Sequence, residues 1–287
     1  TEIAIIEMGA NHAGEIEFLC TISKTSLGLL TNIGKAHLEG FGSIETIVET
    51  KTALYTSVKE NNGIVYVNAN DARLMSESEG LTRIIYPDQN GVSTKAHKND
   101  SPFLEFDTYL NGEKWGSIKT KLIGSYNMDN ALAAMTIGNY FKMSFEKIKT
   151  GLETYTPSNN RSQWLETERN NLILDAYNAN PSSTLLAIEN FGNLRINNKL
   201  IILGDMLELG KDEKIEHQKI VDKLKELKIE ALLIGPRYSS CNSNDTIKSF
   251  ASTSEAHDFL LHEKVNGKSI LIKGSRGLKL EDLVDQL

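Results

Sequence analysis

Short apolar runs and helical patterns alternate along most of the chain. The apolar runs are rich in Ile, Leu and Val, and they fall at 3–6, 27–30, 64–67, 172–174, 200–203, 231–234 and 270–272. Because these runs are continuously apolar, they are typical of strands that are covered on both faces of a sheet. Helical patterns lie between them at 44–58, 128–141, 182–194, 215–227 and 254–265. This order predicts crossover units and therefore an α/β fold with a mostly parallel sheet.

One segment breaks the alternation of strands and helices. Residues 103–123 form two runs of alternating apolar and polar residues around Asn111-Gly112, which is a hairpin signal. A small antiparallel sheet is therefore expected beside the main one. After a further helical pattern, the polar cluster 155–160 precedes a new series of strands and helices. We place a domain boundary there, which gives domains at 1–157 and 158–287.

The composition excludes several classes of protein. With 287 residues, of which 40% are hydrophobic, the chain can form the cores of two domains. Its formal net charge of -7 argues against a general polyanion-binding surface, so nucleic acid is not the expected partner. No apolar run approaches the roughly 20 residues that span a bilayer, and no signal peptide opens the chain. Cys20 and Cys241 match no metal or redox spacing. We therefore expect a cytoplasmic protein without a membrane span.

Polar residues follow the first two apolar runs, at positions where ligands of α/β sheets bind. Glu7 follows the first run, and a carboxylate there suits Mg2+, although a solvated or capping glutamate is the alternative. His37 follows the second run, where a structural hydrogen bond is the alternative to metal binding. Gly34-Lys35 does not complete a P-loop, because Gly28 is one position too far upstream and Ala36 follows the lysine.

Lys51 occupies an unusual position in the helix predicted at 44–58. It falls on the apolar stripe of that helix. The stripe comprises Ile44, Ile47, Val48, Leu54 and Tyr55. An inward lysine is unfavourable unless its amine is paired, deprotonated or chemically modified. The alternative is a lysine whose stem packs while its ammonium reaches water.

Helix caps account for part of the polar residues in the second half of the chain. Asn180 and Pro181 predict an N-cap and the first residue of a helix. This assignment leaves a second role open for Asp175, Tyr177 and Asn178, which follow a strand and would face a cleft.

Two later segments also place charge and glycine at strand ends. They are 204–210 and 273–276. In the second, Lys273 and Arg276 are candidates to bind a carboxylate or a phosphate, the arginine in bidentate fashion. A solvated loop is the alternative for each.

Taken together and in order, these clusters resemble the Mur ligase family, and within it the enzymes that add a dipeptide. The matching segments are 7–11, 31–34 with 36–39, 159–161, 177–181, 204–206 with 208–210, and 273–276. The resemblance covers essentially the whole chain. It implies part of a central ATPase domain followed by a Rossmann-like C-terminal domain that binds the amino acceptor.

The resemblance also implies roles for single residues in the first domain. Glu7 and His37 correspond to magnesium ligands, and Lys51 corresponds to the lysine that this family carbamylates. A carbamate would turn the inward ammonium into a carboxylate that binds a second metal ion. Asn130 corresponds to the asparagine that contacts adenine.

In the second domain, Arg161 corresponds to the arginine that reaches ATP from the interdomain linker, and Asp175 to an aspartate near the ribose. With Lys51 and His37, Arg161 forms the implied catalytic set. The residues implied to line the dipeptide side are Tyr177, Asn178, Lys273, Ser275 and Arg276.

The implied reaction is ATP-dependent amide-bond formation in peptidoglycan precursor synthesis. ATP activates the terminal carboxylate of UDP-N-acetylmuramoyl-tripeptide as an acyl phosphate, and the amine of D-alanyl-D-alanine attacks it. Mg2+ and cationic groups would position and neutralise the phosphates. The family also implies a monomer with a hinge near Pro157.

The chain departs from the family pattern in two respects. Tyr126 stands where relatives often carry histidine. The family's glycine-rich phosphate loop and its N-terminal UDP-binding domain would precede the first residue of this chain. The sequence therefore predicts that this chain by itself binds nucleotide weakly and does not ligate.

Three alternatives stay open at this point. The chain could belong to a ligase that adds a different amino acid, to a folylpolyglutamate synthase, or to a binding module that has lost catalysis. The segments 177–181 and 273–276 favour the dipeptide-adding enzymes.

Overall fold

The structure is a computed structural model that describes residues 2–34, 38–97, 101–241 and 243–287. The chain divides into two compact units. The first comprises Thr1–Ala96, Phe106–Ile118 and Met128–Leu152, and the second comprises His97–Glu105, Lys119–Asn127 and Glu153–Leu287. The division into domains at 157/158 stays a prediction. Within the described ranges, no helix is long and apolar enough to cross a membrane.

The elements up to residue 154 form two small sheets with helices. In chain order they are α1 (Glu15–Ser23), β1 (Leu27–Leu29), α2 (Leu38–Phe41), α3 (Ile44–Glu60), β2 (Ile64–Asn68), α4 (Ala72–Glu77), β3 (Arg83–Tyr86), β4 (Val92–Ala96), β5 (Phe103–Leu110), β6 (Glu113–Ile123), α5 (Asn127–Tyr140) and α6 (Phe145–Thr154). One sheet has the parallel order β1-β2-β3, and the other has the order β4-β5-β6. Leu54 and Val58 of α3 pack with Ile16 of α1 and Val65 of β2 in the core of the first unit.

The structure confirms the predicted hairpin at 103–123. It consists of β5 and β6, and its turn residues Asn111 and Gly112 both have positive φ, 52° and 79°. Two residues with positive φ match a type I′ turn, whose twist fits that of the flanking strands. The sequence missed β4, which pairs antiparallel with β5.

The strand predicted at 3–6 is wrong. No strand includes these residues, and Ile3, Ile5 and Ile6 are 53%, 93% and 57% exposed. An apolar run of β-branched residues favours extended backbone, but a strand also needs a neighbour that accepts its hydrogen bonds. Among the described residues, this segment pairs with no strand.

The second unit contains a six-stranded sheet. Its elements are β7 (Gln163–Glu166), β8 (Asn171–Asp175), α7 (Pro181–Asn193), β9 (Lys199–Gly204), α8 (Glu213–Leu227), β10 (Glu230–Ile234), α9 (Pro236–Ser239), β11 (Ile247–Phe250), α10 (Thr253–His262) and β12 (Ser269–Lys273), with short 3-10 helices at Gly210–Asp212, Arg276–Leu278 and Leu280–Gln286. The strand order is β11-β10-β9-β12-β8-β7. All neighbours are parallel except β7, which runs antiparallel to β8.

Both faces of this sheet are covered, as its continuously apolar strands predicted. Ile201 and Leu271 point to the face that packs against Ile188 of α7 and Ile220 of α8. Residues one position along these strands pack on the opposite face with Leu260 of α10 and with the last 3-10 helix. The four apolar runs 172–174, 200–203, 231–234 and 270–272 therefore correspond to the buried strands β8, β9, β10 and β12.

Candidate functional site

The candidate site lies where the strand order of the second unit reverses. From β8 the chain crosses to β9, continues outward to β10 and β11, and then returns to β12 between β8 and β9. The carboxyl ends of strands at such a switch point form the usual binding crevice of an open α/β sheet. Gly204 and Gly274 lie against each other there, and a Cβ on Gly274 would approach the Cα of Gly204 to 3.1 Å.

A buried ion pair fixes this edge of the sheet. Lys273 and Asp175 are opposite each other in the register of β12 and β8. The Lys273 Nζ donates to Asp175 Oδ2 at 2.8 Å and to the carbonyl oxygen of Asn178 at 3.0 Å. The side chains of Lys273 and Asp175 are only 4% and 19% exposed. Lys273 therefore holds the loop that follows β8, and its ammonium has protein partners.

That loop leads directly into α7. Asn180 accepts a hydrogen bond from Ser183 N at 2.9 Å and forms a capping box with Ser183, and Pro181 begins the helix. The predicted cap is confirmed. Asn178 is exposed, and its Oδ1 accepts from Ala179 N at 2.8 Å.

Two arginines lie over one tyrosine ring beside the ion pair. The Arg161 guanidinium carbon is 4.0 Å from the centroid of the Tyr177 ring, and that of Arg276 is 5.5 Å from it. Both guanidinium groups belong to exposed residues. Because guanidinium groups form bidentate hydrogen bonds with carboxylates and phosphates, this arrangement is suited to anions.

Ser275 connects β12 to the loop after β9. It is buried, and its Oγ accepts from Leu207 N at 3.1 Å. The same loop is held from its other side by His217, whose Nε2 accepts from Met206 N at 3.0 Å. His217 Nδ1 donates to the carbonyl oxygen of Glu213 at 2.6 Å, which fixes the neutral tautomer. Burial lowers the pKa of His217 and so favours this neutral form.

Sequence reasoning did not assign a role to Asp205 or to His217. Asp205 is 1% exposed and accepts from the backbone N of Arg237 at 3.1 Å and of Tyr238 at 3.0 Å. A signal for Asp205 was present in the sequence, because its carboxylate directly follows a strand that ends in glycine. For His217, which lies within a helix, the local sequence held no comparable signal.

The remaining predicted site residues belong to the first unit. Lys51 is partly buried on α3, as its position on the stripe predicted, and its Nζ donates to the carbonyl oxygen of Asn32 at 3.3 Å. Burial lowers the pKa of the Lys51 amine. Glu7 and Asn130 are exposed, Asn130 in the first turn of α5. His37 lies outside the described residues.

Comparisons with known proteins cover nearly the whole chain. Residues 1–138 match the family model of the Mur ligase middle domain, and residues 160–276 match that of the Mur ligase, glutamate ligase domain. The UDP-N-acetylmuramoyl-tripeptide--D-alanyl-D-alanine ligase of Bacillus subtilis (strain 168) is 29% identical over 303 residues, which cover 100% of this chain and 64% of the relative. The protein of that name from Buchnera aphidicola subsp. Baizongia pistaciae is 31% identical and covers 99% of this chain and 63% of the relative.

Solved structures agree with this likeness. The crystal structure of MurF from Acinetobacter baumannii superposes with a TM-score of 0.85 at 27% identity, covering 99% of this chain and 64% of that chain. MurF from Thermotoga maritima in complex with ADP has a TM-score of 0.84 at 21% identity, covering 98% of this chain and 65% of that chain, and this second likeness concerns the fold alone. The chain thus spans less than two thirds of the length of these relatives.

Proposed function

Because this chain belongs to the Mur ligase family, we propose that it provides ATP-binding and dipeptide-binding parts of a UDP-N-acetylmuramoyl-tripeptide:D-alanyl-D-alanine ligase. The observation that carries the proposal is the agreement of its curated relatives, since proteins with this name from three organisms align with 99–100% of the chain. The reaction would transfer the γ-phosphoryl group of ATP to the tripeptide carboxylate. Attack by the dipeptide amine would then form the amide and release phosphate.

The stacked arginines support a carboxylate-binding role for the second unit. D-alanyl-D-alanine presents one free carboxylate, and Arg276 beside Tyr177 offers an exposed guanidinium group to bind it. The Lys273 ammonium already donates to Asp175 and Asn178, so we assign it to holding this loop in place. Ser275 would act in the same way, through its bond to the loop after β9.

The nucleotide role rests on Asn130, Arg161 and Asp175. Asp175 accepts one hydrogen bond on each carboxylate oxygen, from Ser162 N and from Lys273 Nζ. Each oxygen of an ionised carboxylate has a second lone pair, which leaves capacity for a ribose hydroxyl. Arg161 would place its positive charge against the phosphates, where negative charge must be stabilised during transfer.

The environment of Lys51 supports a role for this residue in metal binding. Its lowered pKa increases the fraction of neutral amine. A neutral amine attacks carbon dioxide to form a carbamate and releases one proton, which yields an anionic oxygen ligand. We propose that Glu7, His37 and carbamylated Lys51 hold Mg2+, which when bound neutralises phosphate charge. Within the described residues, which do not include His37, no three His, Cys, Asp or Glu side chains are grouped to hold a metal ion. A carbamate on Lys51 would add an oxygen ligand to those of Glu7 and His37.

We further propose that the reaction takes place in the cytoplasm and that the protein is a monomer, as the sequence and its resemblance to the family imply.

Substitution of Lys51 tests the proposed chemistry. In the natural polypeptide that contains this chain, Lys51→Ala should lower dipeptide-dependent phosphate release by about 100-fold or more, because a preorganised charge is lost from the phosphate site. Lys59→Ala is the matched control, since Lys59 is exposed on the same helix. Equal activity of the two variants would contradict the role of Lys51.

A further inference from the structure

The turn that carries Arg161 has an unusual backbone. Asn159, Asn160 and Ser162 all have positive φ, at 55°, 58° and 49°. Residues other than glycine seldom adopt this region. Asparagine tolerates it better than most, whereas for Ser162 it costs about 1 kcal/mol or more. Three of them within four residues persist only where neighbouring groups hold the turn in place.

Two hydrogen bonds connect this turn to the last residue of β8 and to the loop that follows it. The carbonyl oxygen of Asn160 accepts from Tyr177 N at 3.1 Å, and Ser162 N donates to Asp175 Oδ1 at 3.0 Å. Both partners belong to the candidate site. These two bonds therefore fix the turn beside Tyr177, over whose ring Arg161 lies.

A third hydrogen bond comes from Tyr126. Its hydroxyl lies 2.6 Å from the Ser162 Oγ. The ring packs against Gly124, where a Cβ would come within 2.4 Å of the Tyr126 Cε1, so that ring position requires glycine. Burial and, second, the Asp175 carboxylate raise the pKa of Tyr126 to about 12, which keeps the phenol protonated at neutral pH.

We propose that Tyr126 is a positioning residue, whose hydroxyl holds Ser162 and thereby keeps the turn that presents Arg161 over the site. The inference rests on the proposed function for its consequence in catalysis. Its structural part stands on the geometry of the second unit, to which Tyr126 and the turn both belong. Tyr126 is not assigned to substrate contact.

The first measurement uses NMR to detect whether the Arg161 side chain lies over the Tyr177 ring. Protons over the face of an aromatic ring resonate upfield, so the Arg161 Hδ signals report its stacking on Tyr177. In the natural polypeptide that contains this chain, Tyr126→Phe should move these signals toward the positions that a Tyr177→Leu variant defines. Ser162→Ala breaks the same bond from its other end and should shift them equally. The double variant should shift them no further.

Tyr155→Phe is the matched control, because it removes a phenol oxygen from a residue of the same unit that is 54% exposed. It should leave the Arg161 signals in place. If the signals are also unmoved in Tyr126→Phe and in Ser162→Ala, the positioning role is overturned.

The second measurement is kcat/KM for ATP in the natural polypeptide. Loss of one positioning hydrogen bond should lower it about threefold to tenfold in either single variant, with no added loss in the double variant. Additive losses would overturn the inference. Failure of the proposed function has a different signature, since the unsubstituted polypeptide would then lack dipeptide-dependent phosphate release while the Arg161 signals still respond to Tyr126→Phe.

Discussion

At the scale of single residues, the ammonium of Lys273 is a buried charge of the candidate site that is held by protein partners. It has two acceptors, Asp175 and Asn178, at the end of a buried strand. An ion pair removed from water is sensitive to the loss of one partner, because the other charge is left without compensation. This sensitivity distinguishes Lys273 from the exposed Arg161 and Arg276, which are free to exchange water for a ligand.

Replacing Lys273 should therefore destabilise the second unit. We expect Lys273→Met to lower the free energy of unfolding by about 2–3 kcal/mol, below the usual range for a buried pair because Asp175 is 19% exposed and keeps its bond from Ser162. Lys264→Met, at an exposed loop residue, should change it by less than about 0.5 kcal/mol. Urea denaturation measures both, and equal stability of the two variants would contradict the role of the ion pair.

At the scale of elements, the sequence predicted the strands of the second unit that are buried on both faces and missed the two edge strands of that sheet, which are not. β8, β9, β10 and β12 consist of continuous apolar runs. The edge strands β7 and β11 read QWLE and IKSF and are only partly buried, so neither gives a continuous apolar signal. The run at 3–6 failed in the opposite way. Its pattern was apolar, but within the described part of the chain no neighbouring strand pairs with it.

Helix α7 allows a test of one element whose beginning was predicted correctly. Asn180→Ala removes the cap acceptor for Ser183 N and should lower the free energy of unfolding by about 1 kcal/mol. Asn193→Ala, at the exposed last residue of the same helix, should have an effect below about 0.5 kcal/mol. Thermal or urea unfolding that shows no difference between them would mean that the cap does not limit the stability of the helix.

At the scale of the whole molecule, the sequence named most residues of the candidate site but not their connections. Asp175 and Lys273 are 98 positions apart and meet only because β12 returns between β8 and β9. The bond between Tyr126 and Ser162 likewise depends on tertiary placement, and Tyr126 entered the sequence argument only as a departure from the family pattern. Strand order and loop contacts over such separations do not follow from local patterns.

We propose that the natural polypeptide containing this chain joins D-alanyl-D-alanine to UDP-N-acetylmuramoyl-tripeptide. This activity is tested by measuring phosphate release from ATP with that precursor and a panel of acceptors. The panel comprises the dipeptide and single amino acids, glutamate among them, and the mass of each product is determined. We expect phosphate release and a new amide product with D-alanyl-D-alanine and with no other acceptor. A product with a single amino acid would assign the chain to another ligase of the family, and no release with any acceptor would contradict the claim in favour of a binding module.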